Sequence, residues 1–531
     1  MLRGSKNRSL VIIILTTGVL ALLATGCGQR QNQPDTQTIK TTSTKKATKL
    51  PTPRSYTATP AVTKTPTPTP APVSPLGVDT DDLKDTSVQF WHTWSDKSGE
   101  VLDQLVEEFN SQNEWGIRVQ ATTQGSLDEM YANVHAAINR KEAPDLVVGY
   151  LYQALDWDEE WELADLNEYV DDPVWGLRRA EQDDFYAAFW DHDQSGDRRI
   201  GIPAQRSGQL IYYNSTWAEE LGFSELPSTP EQFGRQACTA ARANLDDENP
   251  DNDGTGGWII STNYSAILGW MYAFGAEVAP SPGSKSADRG YNFEVQAVEE
   301  ALTFLRELYD DGCAWLPENQ YPNEDFATRR GLFATDSVTG IPYQQAAFDQ
   351  VGNPDRWTVI PFPSPTGEPT ASIYGPSFEI LSSTPEEQLA AWLFVKWLVS
   401  PQNQARLIEA TNAYPLRVSI LEQLPGNGNL PPQWMAAADG LPFARSEPAL
   451  RSWHIVRWAV SDAATQLFRY YFTIQQVPEL VAFLHRTAND LHKDPLKDSS
   501  IKSPTPTLTP TVHSTPSITA TADDELVTPT P

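Results

Sequence analysis

Alternating strand and helix patterns in the first half of the chain restrict the fold more than any other feature. Residues 87–91 and 117–121 are short β-branched or aromatic runs, and residues 146–149 form a third, apolar run. Helical apolar spacing separates these runs, and Ser126 with Glu129 makes a capping-box pattern before the second helix. This order predicts an α/β fold with a parallel sheet covered by helices. Such sheets bind ligands beyond the carboxyl ends of their strands.

The length and charge of the chain limit the number of domains and the classes of ligand that we expect. At 531 residues it exceeds the size that one hydrophobic core usually supports, so we expect two lobes or domains. Residues 76–531 contain 29 basic and 68 acidic residues, which gives a net charge of −39. A body this acidic repels phosphate backbones, so nucleic acid is excluded as a partner. Strongly anionic small ligands are disfavoured for the same reason.

The N-terminal 27 residues have the pattern of a secretory signal. Arg3, Lys6 and Arg8 precede an uncharged run of 14 residues (10–23), which is too short to span a membrane comfortably. The small residues before Cys27 resemble the bacterial lipobox. This resemblance implies that Cys27 is lipidated and anchors the mature protein to the membrane. Ordinary secretion with an unmodified cysteine is the alternative.

Segments rich in Thr, Ser and Pro flank the region that has enough apolar residues to form a core. Residues 28–79 and 498–531 have too few apolar residues to form a core, so we expect a disordered tether and a disordered tail. Residues 80–497 then form the folded domain. Within it, Cys238 and Cys313 are an even pair outside the cytoplasm, which favours a disulfide; two buried free thiols are the alternative.

Motifs for catalysis or metal binding are weak. The seven histidines show no HExxH or zinc-finger spacing, and the sequence contains no GxSxG or P-loop motif. We therefore predict a protein that is not an enzyme and needs no cofactor. The acidic turns at 191–197 and 249–254 have the alternating oxygen side chains of a calcium loop but lack its final Glu. Polar turns without a metal are the favoured interpretation.

Short motifs in collinear order resemble the extracellular solute-binding proteins of ABC sugar importers, including maltodextrin- and glycerol-phosphate-binding proteins. The motifs are residues 88–94, 143–148, 199–203, 210–214, 294–311, 357–361, 392–398 and 413–417. The resemblance covers about residues 86–490. It implies a type II periplasmic-binding-protein fold, with a ligand cleft between two discontinuous α/β lobes. Lobe 1 would comprise about residues 86–204 and 361–412, and lobe 2 about residues 205–360 and 413–497.

Aromatic residues in predicted loops indicate a carbohydrate site. Sugars stack their flat C–H faces on rings, and their hydroxyls pair with planar polar groups. The resemblance places Trp91, His92, Tyr374 and Gly375 at the cleft, although packing is the alternative for each ring. The candidate ligand residues are Trp91, His92, Tyr150, Tyr152, Gln205, Arg206, Tyr343, Tyr374, Gly375, Tyr414 and Arg417.

The resemblance implies a substrate-binding lipoprotein on the outer face of the cell membrane. Such a protein closes its lobes on a neutral mono- or oligosaccharide and delivers it to the membrane permease subunits of an ABC importer. We expect it to act as a monomer. Two alternatives remain open. The chain could bind glycerol-phosphate-type or other polar solutes, or it could be a cell-envelope adhesin or polysaccharide-interaction protein without an importer.

Overall fold

The computed structural model describes residues 72–284, 289–424 and 430–493. The predicted signal segment with Cys27, most of the tether and the tail lie outside the described residues. Residues 72–79, predicted to belong to the tether, are part of the folded body. Val78 is buried, and Ser74 Oγ donates a hydrogen bond to Asp172 Oδ2 at 2.6 Å. Within the described residues, no helix is both long and apolar enough to cross a membrane.

Strands and helices alternate along much of the described chain. The strands are β1 (Ser87–His92), β2 (Arg118–Thr123), β3 (Leu146–Gly149), β4 (Gln194–Ser195), β5 (Arg198–Arg199), β6 (Ile202–Pro203), β7 (Ser207–Asn214), β8 (Gly256–Ile259), β9 (Ala314–Trp315), β10 (Gly331–Ser337), β11 (Trp357–Ile360), β12 (Ala371–Tyr374), β13 (Ser377–Ile380) and β14 (Ala444–Ser446). The helices are α1 (Asp96–Gln112), α2 (Leu127–Arg140), α3 (Leu151–Trp161), α4 (Leu166–Val170), α5 (Arg179–Gln182), α6 (Ala187–Trp190), α7 (Ser215–Glu220), α8 (Pro230–Asp246), α9 (Tyr264–Ala273), α10 (Gln296–Asp310), α11 (Asn323–Ala327), α12 (Ile341–Val351), α13 (Pro385–Leu398), α14 (Pro401–Thr411), α15 (Ile420–Gln423), α16 (Pro432–Ala438), α17 (Trp453–Leu467) and α18 (Val477–Lys493).

The capping box predicted at the start of α2 is confirmed. Ser126 Oγ accepts a hydrogen bond from the backbone N–H of Glu129 at 3.2 Å. The Glu129 carboxylate in turn accepts from the backbone N–H of Ser126 at 2.7 Å. These two bonds satisfy backbone donors that a helix start would otherwise leave without an acceptor. They fix where the helix begins, and so fix the loop that leads into it from β2.

The first lobe is built on a five-stranded sheet with the order β2–β1–β3–β13–β6. β1 pairs in parallel with β2 and β3, as the strand–helix pattern predicts, whereas β13 lies antiparallel to β3 and β6. Phe90 of β1 contacts Phe378 of β13 and Phe394 of α13, with ring centroids 6.0 and 5.7 Å apart. These contacts attach the sheet to the helical layer that covers it.

The second lobe is built on a seven-stranded sheet with the order β14–β12–β7–β10–β8–β9, in which β11 also pairs with β7. Its core contains Trp258 of β8 and Trp270 of α9, both fully buried, with ring centroids 5.7 Å apart. A disulfide joins Cys238 of α8 to Cys313, just before β9, across a sequence separation of 75 residues. The bond therefore connects a covering helix to the edge of the same sheet.

Crossing segments connect the two lobes. The first runs from β6 through residues 204–206 into β7, and the second runs from β12 through Gly375 and Pro376 into β13. Gly375 has a φ of +153°, and a Cβ atom there would lie 2.2 Å from Gln205 O. The two segments thus touch at a position that only glycine can occupy. A third crossing follows α14, where Tyr414 N–H donates to a carbonyl of the first crossing segment at 2.8 Å.

Strand pairing places the second crossing later in the chain than the sequence motifs suggest. β12 pairs with β7, so the chain returns to the first sheet at Ser377 and not near residue 361. Residues after 413, predicted for lobe 2, also contact lobe 1. Arg417 forms a β-bridge with Phe185, and Ser419 Oγ donates to Asp184 Oδ2 at 2.5 Å. The pairing of backbone strands determines both of these boundaries between the lobes. Short sequence motifs do not show which strands pair.

Candidate ligand-binding cleft

Two adjoining cavities form the candidate site: the described lining of the first comes from both lobes, and that of the second comes from the second lobe. Cavity A, of about 580 Å³, lies beyond the carboxyl ends of β1 and β3 and is bounded by the first two crossing segments and by residues that follow β10. Cavity B, of about 570 Å³, lies beyond the carboxyl ends of β8, β9 and β10. Tyr374 borders both cavities, so the two meet at this ring. Together they form the cleft, at the place where α/β sheets bind ligands.

Tyrosine rings line the cleft from both sides. Tyr150, which precedes α3, stacks on Tyr152 with ring centroids 5.4 Å apart and an interplanar angle of 8°. The Tyr374 hydroxyl accepts a hydrogen bond from Gln209 Nε2 at 3.1 Å, which orients the ring between the cavities. Tyr343 is 71% exposed. Burial raises the pKa of Tyr150 and of Tyr374, so both hydroxyls stay neutral and can donate or accept hydrogen bonds.

Contacts between the two lobes hold Tyr152, the ring on which Tyr150 stacks. The Tyr152 ring is 7% exposed, and its hydroxyl accepts a hydrogen bond from Arg457 Nη1 at 2.5 Å. Arg451, which precedes α17, forms a salt bridge with Asp156 of α3. Both interactions join α3 of the first lobe to the α17 region of the second. Tyr152 therefore holds the Tyr150 ring in place and does not line the cleft itself.

Polar side chains complete the lining of both cavities. In cavity A, Trp94 Nε1 donates to Gln205 Oε1 at 2.7 Å. Because this bond occupies the Gln205 carbonyl oxygen, its amide nitrogen is the group left for a ligand. In cavity B, Asp336 accepts a hydrogen bond from Ser337 N–H at 2.6 Å. Burial raises the pKa of Asp336, while its hydrogen bonds to Ser337 oppose that shift. Its carboxyl group therefore protonates more readily than an exposed aspartate.

A buried ion pair lies beside the cleft, where the first two crossing segments meet. Arg206 is 1% exposed, and its Nη2 atom donates to Asp193 Oδ2 at 2.7 Å and to Ser377 Oγ at 2.9 Å. Its Nη1 atom donates to Pro376 O at 2.5 Å. Burial alone would raise the pKa of Asp193, but Arg206, His192 and Ser377 together lower it. Arg206 therefore holds the crossing segments together.

Five of the eleven predicted ligand residues line the cleft. These are Tyr150, Gln205, Tyr343, Tyr374 and Gly375. The structure does not bring the other six to its described lining, and these are Trp91, His92, Tyr152, Arg206, Tyr414 and Arg417. The residues that do line it lie in or next to the crossing segments, or follow the ends of β3 and β10. Their position in the topology, more than their residue type, brings them together.

Burial removes the other predicted residues from the cleft. Trp91 packs against the apolar cluster formed by β3, α2 and α3. Burial lowers the pKa of His92 to about 4, so its ring stays neutral inside the first lobe. Tyr414 is 1% exposed in the core. The Arg417 guanidinium lies 4.1 Å from the centroid of the Phe185 ring in the first lobe. Each side chain is therefore part of the packing of its lobe.

Several residues that line the cleft were not predicted as ligand residues. They include Trp94, Ser207, Gln209, Asp336 and Trp458. Asp336 did carry a signal, because it is the one charged residue within the strand at 331–337. Trp458 lies in an amphipathic helix where a core position is the simpler interpretation, yet it is 46% exposed. Gln209 lies in a strand, where alternation alone does not tell which face borders a ligand.

The two acidic turns form polar turns. Asp193 in the first turn is paired with Arg206, and β4 and β5 close the hairpin around Gly196. In the second turn, Asn249 Oδ1 accepts a hydrogen bond from Asp251 N–H at 3.2 Å. Throughout the described residues, no group of three or more His, Cys, Asp or Glu side chains is placed to share a metal ion. Local hydrogen bonding accounts for both turns.

The charge of the cleft is low and slightly negative. Among its described lining residues, Lys97 is the only lysine or arginine, and it neighbours Asp96. Cavity B has two acids, Glu318 and Asp336, and its described lining contains no basic residue. A phosphate or carboxylate ligand normally requires a guanidinium or several N–H donors. The lining therefore suits an uncharged ligand that carries hydroxyl groups.

Residues 104–440 match the family of bacterial extracellular solute-binding proteins. The chain belongs to this family. A bacterial extracellular solute-binding protein works outside the cytoplasm, and the family is one of binding proteins and not of enzymes. No curated protein matches the chain by sequence.

Solved structures confirm the predicted two-lobed fold of this solute-binding protein. The sugar-binding protein MalE from Xanthomonas citri is 19% identical with a TM-score of 0.64, over 79% of this chain and 100% of that one. The cyclic alpha-maltosyl-1,6-maltose binding protein from Arthrobacter globiformis is 16% identical with a TM-score of 0.63, over 76% and 99%. UgpB from Mycobacterium tuberculosis, in complex with glycerophosphocholine, is 17% identical with a TM-score of 0.58, over 76% and 99%.

Proposed function

We propose that this solute-binding protein captures a neutral carbohydrate in the cleft and delivers it to the permease of an ABC importer. The observation that carries the proposal is the combination of ring faces and uncharged polar groups around Tyr374. Tyr150 and Tyr374 offer surfaces for the C–H faces of sugar rings, and Gln205 and Ser207 offer partners for hydroxyls. Related structures named for cyclic maltosyl-maltose binding or solved with maltotriose support this class of ligand.

The arrangement of the cavities favours a ligand with more than one sugar ring. Cavities A and B have similar volumes and meet at Tyr374, so one ring could occupy each side of that tyrosine. Cavity A has walls from both lobes, with Trp94 on one side and Tyr343 on the other. A ligand that contacts both walls stabilises the closed arrangement of the lobes over the open one. Lobe closure is thus the step by which binding would signal to the permease.

Glycerol-phosphate-type solutes are the second candidate, because UgpB was solved with glycerophosphocholine. The lining of the cleft does not fit these phosphate-containing solutes. Arg206 and Arg417 are the two arginines among the predicted ligand residues, and both are buried away from the described lining. A phosphate would then face Lys97 alone, within a strongly acidic protein. A neutral sugar avoids this electrostatic cost.

Tyr374→Ala should weaken binding of the sugar by roughly 5- to 150-fold, which corresponds to the loss of about 1–3 kcal/mol from one buried aromatic face. A thermal-shift screen over mono- and oligosaccharides first identifies the ligand, because a ligand that binds only the native state stabilises it. Calorimetry then compares the wild-type and variant proteins with that sugar.

Tyr470→Ala is the matched control for this experiment, because Tyr470 is 87% exposed and does not line the cleft. The affinity of the Tyr470→Ala variant for the sugar should equal that of the wild type. Unchanged affinity in a folded Tyr374→Ala protein would remove Tyr374 from the site. A screen in which only phosphorylated or carboxylated ligands stabilise the protein would contradict the neutral-sugar proposal and favour the second candidate.

We also infer that Cys27 carries the lipid anchor, from the basic start, the short apolar run and the small residues before it. Cys27→Ser should move the protein from the membrane fraction to the soluble fraction, as followed by immunoblotting of fractionated cells. A single acyl chain binds membranes only marginally, so stable anchoring requires the diacylglycerol type of modification. Persistent membrane association of the variant would contradict the anchor.

A further inference from the structure

The Asp336 carboxylate, near the end of β10, forms part of the wall of cavity B. The side chain is half-buried, so a ligand in this cavity can reach it from the open side. Tyr212 and Tyr374 line the same cavity, and the charge of Asp336 adds to burial in raising the pKa of both hydroxyls. Asp336 therefore lies near the ring at which cavities A and B meet.

Asp336 has no cationic partner in the described part of the chain. The described lining of cavity B contains no lysine or arginine, and the groups that oppose the raised pKa of Asp336 both belong to Ser337. The backbone N–H of Ser337 donates to Asp336 Oδ1 at 2.6 Å. A carboxylate can accept about four hydrogen bonds. Acceptor sites therefore remain, and hydroxyl groups of a ligand in cavity B can fill them.

The surrounding backbone fixes the position of this carboxylate. Ser337 pairs with Gln209 of β7, and the Tyr212 hydroxyl donates to Ser337 O at 2.6 Å, so the N–H that holds Asp336 Oδ1 is itself held. A Cβ atom at Gly340 would lie 2.7 Å from Asp336 Oδ2, so a larger residue at position 340 would displace the carboxylate. A group that is already in place loses little freedom when it binds a ligand.

The lining of cavity B combines ring faces with negative charge. Tyr374 and the half-exposed Trp458 offer surfaces on which a sugar ring can stack. Asp336 and Glu318 make the cavity acidic. A carboxylate or phosphate on the ligand would meet two like charges here, whereas hydroxyl groups can donate hydrogen bonds to them. The cavity therefore selects for a neutral ring with free hydroxyls.

We propose that Asp336 is a specificity-determining residue of the cleft, which accepts hydrogen bonds from two hydroxyls of the sugar ring in cavity B. This inference rests on the proposed function and deepens it, because it names the chemical class of that ring: one with adjacent free hydroxyls and without a carboxylate or phosphate group. A ring that lacks those hydroxyls leaves the carboxylate without donors, and a site built to bind a hydroxyl rejects such a ligand strongly.

Calorimetry on the purified full chain tests this role. The probes are the neutral trisaccharides maltotriose, cellotriose, mannotriose and xylotriose, and the acidic trisaccharide trigalacturonate. At least one neutral probe should bind the wild type, and trigalacturonate should not. Asp336→Asn, which keeps the size of the side chain and removes its charge, should weaken binding of that neutral probe by about tenfold or more, the usual effect of losing a charged acceptor. Gly340→Ala, which keeps the charge and displaces the carboxylate, should also weaken it.

The pH profile of binding separates a ligand contact from a merely structural role. Burial raises the pKa of Asp336, and protonation of its carboxyl group removes acceptor sites. Binding by the wild type should therefore weaken as the pH falls through this pKa, and binding by Asp336→Asn should not. Tyr212, Tyr374 and Glu318 also face the cavity, but they are present in both proteins. The difference between the two profiles therefore reports on Asp336.

Asp251→Asn is the matched control, because Asp251 is an exposed acid of the second lobe that lines neither cavity. It should leave the affinity unchanged. Equal affinities and equal pH profiles of wild type and folded Asp336→Asn would overturn this inference and leave the proposed function standing. An equal loss in Asp251→Asn would overturn it too, because the effect would then come from total charge. Binding of trigalacturonate alone, or of none of the neutral probes, would overturn the proposed function itself.

Discussion

Asp193→Ala should lower the free energy of unfolding by about 3–5 kcal/mol, because it leaves the Arg206 guanidinium buried without a counter-ion. Both side chains of this pair are 2% exposed, so water cannot take the place of the lost carboxylate. The same substitution removes the acceptor of the Ser377 hydroxyl, which donates to Asp193 Oδ2 at 2.5 Å. Chemical denaturation followed by tryptophan fluorescence measures the change.

Asp183→Ala provides the matched control. Asp183 pairs with Arg179 at 2.9 Å, but their side chains are 57% and 83% exposed. Removal of this exposed pair should change the free energy of unfolding by less than about 0.5 kcal/mol. Equal effects of the two substitutions would mean that the pair between Asp193 and Arg206 does not stabilise the crossing segments.

The Asp193 pair also predicts how stability depends on pH. Its surroundings hold the pKa of Asp193 below its ordinary value, so folding favours the ionised carboxyl group. The resulting stabilisation is fully present above the unfolded pKa of about 4 and is lost as the pH falls towards the folded pKa. The wild type should therefore lose its advantage over Asp193→Ala in strong acid, where both proteins have an unpaired Arg206.

The parallel part of the first sheet could be predicted because its signals are local. Apolar runs, helical spacing and the pair of Ser126 and Glu129 each depend on residues within a few positions of one another. The position of the second crossing could not be predicted in this way. It depends on the pairing of β12 with β7, whose partners Ser372 and Gln209 are far apart in sequence. A single sequence shows that both are strands without showing that they pair.

The sequence could predict those lining residues whose place at the cleft follows from their position beside a strand end or a crossing segment. Tyr150 follows a parallel strand and Tyr374 precedes a crossing, and both line cavity A. Arg206 and Arg417 are not among the described lining residues, because a long side chain at such a position can extend into the cleft or fold back into its lobe. Arg206 folds back because Asp193, in a turn that also resembles a calcium loop, offers it a buried carboxylate. Asp193 can be recognised as the partner of Arg206 only when the structure shows that its turn lies next to the first crossing segment.

Loss of the Cys238–Cys313 disulfide should lower the free energy of unfolding by about 4 kcal/mol. The bond closes a loop of 75 residues, and a loop of that length has a large chain entropy in the unfolded state when it is open. The measurement compares denaturation of the wild type with that of a Cys238→Ala, Cys313→Ala double variant, which leaves neither partner of the bond as a free thiol. Peptide mapping under non-reducing conditions establishes first that the purified protein contains the bond.

The position of the disulfide extends this prediction to the cleft. Cys313 immediately precedes β9, and the residues that follow β9, from Leu316 to Asn323, line cavity B. Because the bond holds the start of β9 against α8, its loss should loosen this wall and weaken ligand binding, while cavity A stays intact. A reduced protein with wild-type stability would contradict the entropic role of the bond. Recovery of both cysteines as alkylated free thiols would contradict the bond itself.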